Sequence, residues 1–206
     1  MSGPASAPDP SVMWGDAGTR IVLVRHGEPE DGPDCGPDPG LTDLGRRQAA
    51  AMAAVVGNEA IDAVYVSGQR RAQETGEALA AALGLTANVE VRVSEFDYGM
   101  AHYVSPRAAV YLSDEERLAV IAKMRDPAFA ERVRAGIDDI VAAHTEQTVA
   151  VVCHGVVIGT IVRHLTGAAE LKTRAKHTSV ARLRHRADGE WELEALNEAH
   201  WLAHVD

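Results

Sequence analysis

Ile21-Val22-Leu23-Val24-Arg25-His26-Gly27-Glu28 is the stretch on which the reading of this chain turns. Its first four residues are apolar, mostly β-branched and without alternation, as in a strand covered on both faces. The run then passes without a spacer into a cation, an imidazole, a glycine and a carboxylate. Open α/β sheets place ligands beyond the carboxyl ends of their strands, so this junction is the first candidate site.

Working outward, Thr148 to Cys153 repeats the pattern and ends in His154-Gly155. Ala63 to Val66 forms another apolar strand before the turn Ser67-Gly68, and Val89 to Val93 reads as a further strand leading into Glu95. Between the strands lie helical patterns. Thr42 can cap a helix running to about Val56, and Gln69 to Leu83 forms the next, with Gly84 as C-cap. Ser113 and Glu116 make a capping box for a helix to Arg125, and Pro127 opens one to about His144. Gly155 to Leu165 is helical, with Gly167 just beyond. Thr178 to Arg184 and Trp191 to Leu196 form a hairpin around Asp188-Gly189.

This alternation predicts an α/β three-layer sandwich: a mainly parallel central sheet with helices on both faces. Residues 1–19, rich in Pro, Ser, Gly and Ala, read as a flexible N-terminal tail. Residues 20–206 read as a single domain with a cap-like insertion at about 96–145. No internal repeat or interdomain linker is visible.

Bulk composition narrows the function. The chain has 206 residues, 46% hydrophobic and 24% charged, which suits one globular domain. Its formal net charge of -10 argues against nucleic acid or anionic membrane as partner, while leaving room for a local basic pocket. The two cysteines, Cys35 and Cys153, make neither a disulfide scaffold nor a zinc site, and Cys153 reads as a buried inert thiol. No stretch matches a membrane span or a secretory signal, so a cytoplasmic location is expected. The oligomeric state is left open, and a homodimer is compatible with the sequence.

Arg25, His26, Arg71, Glu95 and His154 stand at strand ends or at the helix starts that adjoin them, where a parallel sheet lets them converge. Guanidiniums bind phosphate oxygens bidentately. A neutral imidazole can attack phosphorus, and a carboxylic acid can protonate a leaving oxygen. The set suits phosphoryl transfer without a metal. Arg70 competes with Arg71, and Asp97 competes with Glu95. Spacing to Ser67 and Thr75 favours Arg71, and spacing to Gly99 favours Glu95.

Leu23 to Glu28, LVRHGE, resembles the signature of the histidine phosphatase superfamily, which includes the cofactor-dependent phosphoglycerate mutases. Four further blocks extend the likeness in order: Gly40 to Gly45 with Gln48-Ala49, Val64 to Ser67 with Arg71-Ala72 and Thr75, Glu95 with Gly99, and Val151 to Gly155. The resemblance implies that His26 is the nucleophile and forms a phosphohistidine. It implies that Arg25, Arg71 and His154 hold the phosphoryl oxygens and that Glu95 is the proton donor. Gly27 would let the backbone approach and orient the imidazole. Glu28 would pair with an arginine or face the substrate. No cofactor or metal is implied, and the expected partner is a small phosphorylated substrate.

Departures from the family pattern are Pro29 after Glu28, and Gly32 where many members carry an Asn seven residues after the Arg. Loss of that Asn removes an auxiliary phosphate contact and points away from a mutase. A phosphomonoesterase is therefore the first expectation. The rivals are phosphoglycerate mutase-type transfer and a phosphate-binding regulatory protein without turnover. Phe96, Tyr98, His102, Tyr103, Arg107 and Tyr111 make the cap-like segment aromatic and modestly basic, as a wall for the rest of the substrate, with ordinary packing an equal account of any one of them. Thr42 and Ser67 read as cap and turn residues. His200 and His204 have helical i, i+4 spacing, but no third ligand accompanies them. His144, His164, His177 and His185 read as ordinary surface or core residues.

Overall fold

Strand β1, Arg20–Arg25, lies near the middle of the sheet because all four of its central residues are buried. A computed structural model of the chain describes residues 18–32, 34–104, 112–186 and 188–205. In chain order the other elements are α1 (Asp43–Val56), β2 (Ala63–Val66), α2 (Arg70–Leu83), β3 (Ala87–Val89), α3 (Asp114–Met124), α4 (Pro127–Ala143), β4 (Thr148–Cys153), α5 (Gly155–Thr166), β5 (Val180–His185) and β6 (Trp191–Glu198). Short 3-10 turns cover Val91–Val93 and His200–His204.

The sheet order is β3-β2-β4-β1-β5-β6. The first four strands in that order pair in parallel, and β5 and β6 add antiparallel at one side. Alternate side chains of a strand point to opposite faces. Val22 and Val24 accordingly pack with Met52 and Val56 of α1 and Leu79 of α2. Ile21 and Leu23 pack with Val133 and Ile137 of α4 and Ile158 and Ile161 of α5. Each such buried aliphatic side chain contributes about 1.5–3 kcal/mol relative to exposure. The three-layer α/β sandwich is as the residue pattern predicts.

Several boundaries differ from expectation. Gly18 and Thr19, read as tail, belong to the fold. Thr19 is buried, its hydroxyl accepts from Glu146 N at 3.0 Å, and its carbonyl accepts from His185 N at 2.8 Å. The rest of the proposed tail lies outside the described residues. The predicted strand Val89–Val93 ends at Val89, because the Glu90 carboxylate accepts from Arg92 N at 3.0 Å and closes a 3-10 turn. The alternating valines there imitate a strand, yet Val89 and Val91 are exposed and only Val93 enters the core. The segment read as cap-like divides in two. Helix α4 covers one face of the sheet, whereas α3 has no buried residue and stands off the core. Residues 200 and 204 fall in a 3-10 turn, with about three residues per turn, rather than in the α-helix that the i, i+4 spacing presumes. Among the described residues, no helix is long and apolar enough to cross a membrane.

Candidate active site

The site begins with strand register. Arg25 lies against Cys153 and Val66 against Val152. The residues that follow, His26, His154 and Ser67, therefore leave three neighbouring strands at nearly one level. Neighbouring strands are about 4.8 Å apart. The ring centroids of His26 and His154 are 5.0 Å apart.

His26 Nδ1 lies 2.7 Å from the Gly27 carbonyl oxygen. A carbonyl can only accept, so the ring proton sits on Nδ1 and Nε2 keeps its lone pair. His26 is buried. That burial, followed by the His154 ring and the Arg71 and Arg25 cations, holds its pKa well below the ordinary histidine range. The imidazole is neutral at neutral pH, which is the form that attacks.

Gly27 is required for a different close approach from the one expected. A Cβ there would lie 2.5 Å from the Gly45 carbonyl oxygen, so the constraint is the packing of the loop on α1. Its N–H donates to Thr75 Oγ1 at 3.0 Å, and that hydroxyl donates to the Arg71 carbonyl at 2.8 Å. Glu28 does not line the site cavity. Its carboxylate accepts from the Thr42 hydroxyl at 3.2 Å and its N–H donates to Gln48 Oε1 at 2.8 Å, so it ties the loop to α1. Thr42 caps α1 as expected, accepting from Gly45 N at 2.9 Å.

Arg71, rather than Arg70, is the buried arginine, at 1% exposure. Its NH2 donates to Asp97 at 3.2 Å, and its guanidinium lies 4.7 Å from the centroid of the Tyr103 ring. Arg25 NH1 donates to the Ala175 carbonyl at 2.6 Å. Ser67 does more than turn the chain. Its Oγ is 2.7 Å from His154 Nε2 and accepts from Gln69 N at 3.2 Å. With one lone pair taken by Gln69 N, the hydroxyl can donate its proton to Nε2, which places the His154 ring proton on Nδ1. Arg25 Nε, Arg71 Nε, Arg71 NH1 and His154 Nδ1 are buried nitrogens without a hydrogen-bond partner. An unsatisfied buried donor costs about 1–3 kcal/mol. Several on neighbouring side chains make a ready-made socket for an oxyanion.

Glu95 sits at the opening of α5. Its Oε2 accepts from Val156 N at 3.1 Å and its Oε1 from Phe96 N at 3.3 Å. Burial raises its pKa to about 7, with Asp97 pushing the same way against the Val156 N–H and Arg71. A carboxyl poised near neutrality can both give and take a proton. Gln69, which the sequence reading passed over, links the Asp97 carboxylate to the Glu95 backbone. Its Nε2 donates to Asp97 Oδ1 at 2.8 Å and its Oε1 accepts from Glu95 N at 2.7 Å. Asp97 thus serves as the Arg71 anchor, and Glu95 is the carboxylate carrying the raised pKa. Cys153 is buried, and burial pushes its thiol upward, so it stays an inert thiol.

Arg25, His26, Arg71 and Glu95 line a cavity of about 530 Å³, whose apolar wall includes Phe96, Val120, Met124 and Val156. His154 is fully buried and does not itself line it. Of the expected cap aromatics, Phe96 and Tyr103 reach the cavity, whereas Tyr98 and His102 are exposed and do not. Arg107 and Tyr111 lie outside the described residues. The His177 ring, read as ordinary, lies 5.8 Å from that of His26, which no local pattern signals. Among the described residues, no three His, Cys, Asp or Glu side chains gather as a metal site.

The model of the histidine phosphatase superfamily, branch 1, matches residues 21–199. The chain belongs to the histidine phosphatase superfamily. Phosphoserine phosphatase 1 of Hydrogenobacter thermophilus is 28% identical over 159 residues, covering 66% of this chain and 71% of that protein. Among solved structures, a mycobacterial glucosyl-3-phosphoglycerate phosphatase superposes with a TM-score of 0.69 at 24% identity, covering 87% of this chain and 99% of that one. A phosphoglycerate mutase from Bacillus anthracis superposes with a TM-score of 0.70 at 20% identity, covering 91% and 97%. At those identities the superpositions show the shared fold. The chain is thus a histidine phosphatase-type enzyme, in a superfamily that spans phosphatases and mutases.

Proposed function

We propose that this histidine phosphatase hydrolyses a small phosphomonoester through a phosphohistidine at His26. Nε2 attacks phosphorus while Glu95 gives its proton to the leaving alkoxide oxygen, breaking the P–O bond and releasing an alcohol. Glu95, now ionised, takes a proton from water. That water attacks the phosphohistidine, the P–N bond breaks, and inorganic phosphate leaves with Glu95 protonated again. Arg25, Arg71 and His154 Nδ1–H stabilise the equatorial oxygens in both steps. The observation that carries this reading is the neutral His26, with its lone pair on Nε2, among unpartnered donors and a carboxyl of pKa about 7.

The relatives named phosphatases favour water as acceptor, as does Gly32 in place of the family Asn. The test is a panel of phosphomonoesters followed by phosphate release. We expect turnover in the presence of a chelator, an acid-labile and alkali-stable phosphoenzyme, and loss of about 10⁴-fold or more in His26→Ala. Retained activity in that variant overturns the nucleophile. Isomerisation of phosphoglycerate without free phosphate replaces the hydrolase reading with a mutase. Phosphate or vanadate binding without any turnover replaces it with a binding protein.

A further inference from the structure

The same cavity carries cations that phosphoryl binding does not use. Arg163 and Arg174 both line it. Neither has a carboxylate within ion-pair distance among the described residues. Arg46, Arg70, Arg92, Arg117, Arg182 and Arg186, by contrast, each face an acid. In a protein with a net charge of -10, two unpaired guanidiniums on one cavity wall are a local inversion of the surface.

Their placement is built by the sequence of α5. Gly155, Gly159 and Arg163 succeed one another at helical i, i+4 spacing, about 6 Å per step along the axis. Helical side chains lean towards the N-terminus, so the Arg163 guanidinium lies back over Gly159. A Cβ at Gly159 would lie 3.0 Å from Arg163 NH1 and 2.6 Å from Thr173 Oγ1. A Cβ at Gly155 would lie 3.9 Å from Arg25 Nε. Gly159 therefore lets the Arg163 guanidinium approach the side of α5 that Arg25 also faces, offset by about one turn. Arg25 holds the carbonyl of Ala175 at 2.6 Å and Arg163 that of Leu171 at 3.3 Å. The loop between them presents Thr173 and Arg174 to the cavity.

We infer that Arg163, with Arg174 and Thr173, forms a second anion subsite, and that the substrate is a compact phosphomonoester bearing a further anionic oxygen group. That group is a carboxylate or second phosphate, and the guanidiniums that would hold it and the phosphoryl group are offset by one turn of α5, about 6 Å. One face of the Arg163 guanidinium is spent on Leu171, and its remaining N–H groups are the fork that takes the anion. This inference rests on the phosphoryl group occupying the Arg25 and Arg71 socket, as the proposed function has it.

Binding of inert phosphonates separates the two claims, because it needs no turnover. The probes are butylphosphonate, 4-phosphonobutyrate and propane-1,3-bisphosphonate, measured by calorimetry on the full chain. We expect both doubly anionic probes to bind at least about tenfold more tightly than butylphosphonate, the tighter of the two naming the group. Arg163→Met should cut that preference to about threefold or less while leaving butylphosphonate affinity within about twofold. Arg174 is exposed, so Arg174→Met tests the same subsite without touching packing, and should reduce the preference in the same direction. Equal binding of all three probes to the native protein overturns the subsite. So does an equal weakening of all three by Arg163→Met, which would make Arg163 a loop support. Hydrolysis of p-nitrophenyl phosphate by the native enzyme is read separately, and its absence would count against the phosphatase reading alone.

Discussion

Glu95 shows how one residue acquires its chemistry from its surroundings. The sequence offers two carboxylates on one loop, and spacing alone favours Glu95 over Asp97. The structure supplies the physical distinction. Asp97 forms an ion pair with Arg71 and accepts from Gln69 Nε2, whereas Glu95 has backbone N–H groups as its carboxylate partners and burial raises its pKa to about 7. The sign of the pH effect follows. The proton donor is the acid form, so kcat/KM for an alkyl phosphate should be level below pH 7 as far as Glu95 is concerned, and should fall about tenfold per pH unit well above it. His26 adds no limb near its ordinary pKa, because burial and its cationic neighbours keep it neutral. Glu95→Gln should remove the alkaline limb and slow alkyl phosphates by about 10²–10⁴-fold, while p-nitrophenyl phosphate, whose leaving group needs no proton, loses far less. Rates across a leaving-group series check this. A slowing by Glu95→Gln that does not vary with leaving-group pKa would move the proton donor away from Glu95.

Elements carry these residues to their places, and a tight joint lies between the His26 loop and the start of α1. A Cβ at Gly45 would lie 2.1 Å from the Glu28 carbonyl oxygen, and Thr42 N donates to that same carbonyl at 3.0 Å. Backbone faces backbone there, so no side chain can swing aside. Gly45→Ala should cost about 1–3 kcal/mol in urea unfolding. It should also lower kcat by more than about tenfold by displacing the loop that holds His26. A folded, fully active Gly45→Ala protein would show that the joint does not position the nucleophile. At this scale much was legible beforehand. The apolar runs of β1, β2 and β4, the Thr42 cap, the Gly84 C-cap and the Ser113 capping box each announce themselves through local chemistry. Local chemistry also misleads. Val89 to Val93 alternates like a strand, but the Glu90 side chain closes a turn. Gln69, Ser67, His177 and Arg163 gain their roles only when strands or helices far apart in sequence are brought together. Ser67 falls within a family block but reads there as a turn residue, and no period or motif singles out the other three.

The whole molecule sets the long-range field in which this site works. The net charge is -10, yet the cavity holds Arg25, Arg71, Arg163 and Arg174. Beyond a Debye length, about 10 Å at 0.1 M salt, an incoming anion senses the acidic surface rather than the pocket. Affinity must then come from short-range, charge-assisted hydrogen bonds inside the cavity, where screening is weak. A basic enzyme would attract its anionic substrate from afar and lose on-rate steeply as salt rises. Here the opposite sign is expected. With a dianionic phosphomonoester and a salt whose anion does not compete for the site, kcat/KM should stay level or rise by about twofold or less between about 20 and 200 mM ionic strength. Stopped-flow or initial-rate measurements at substrate concentrations well below KM read this directly. A steep fall with salt would mean that the cavity cations dominate the far field despite the bulk charge. A flat or rising profile, together with a large loss on removing a single cavity arginine, would locate recognition within the site itself.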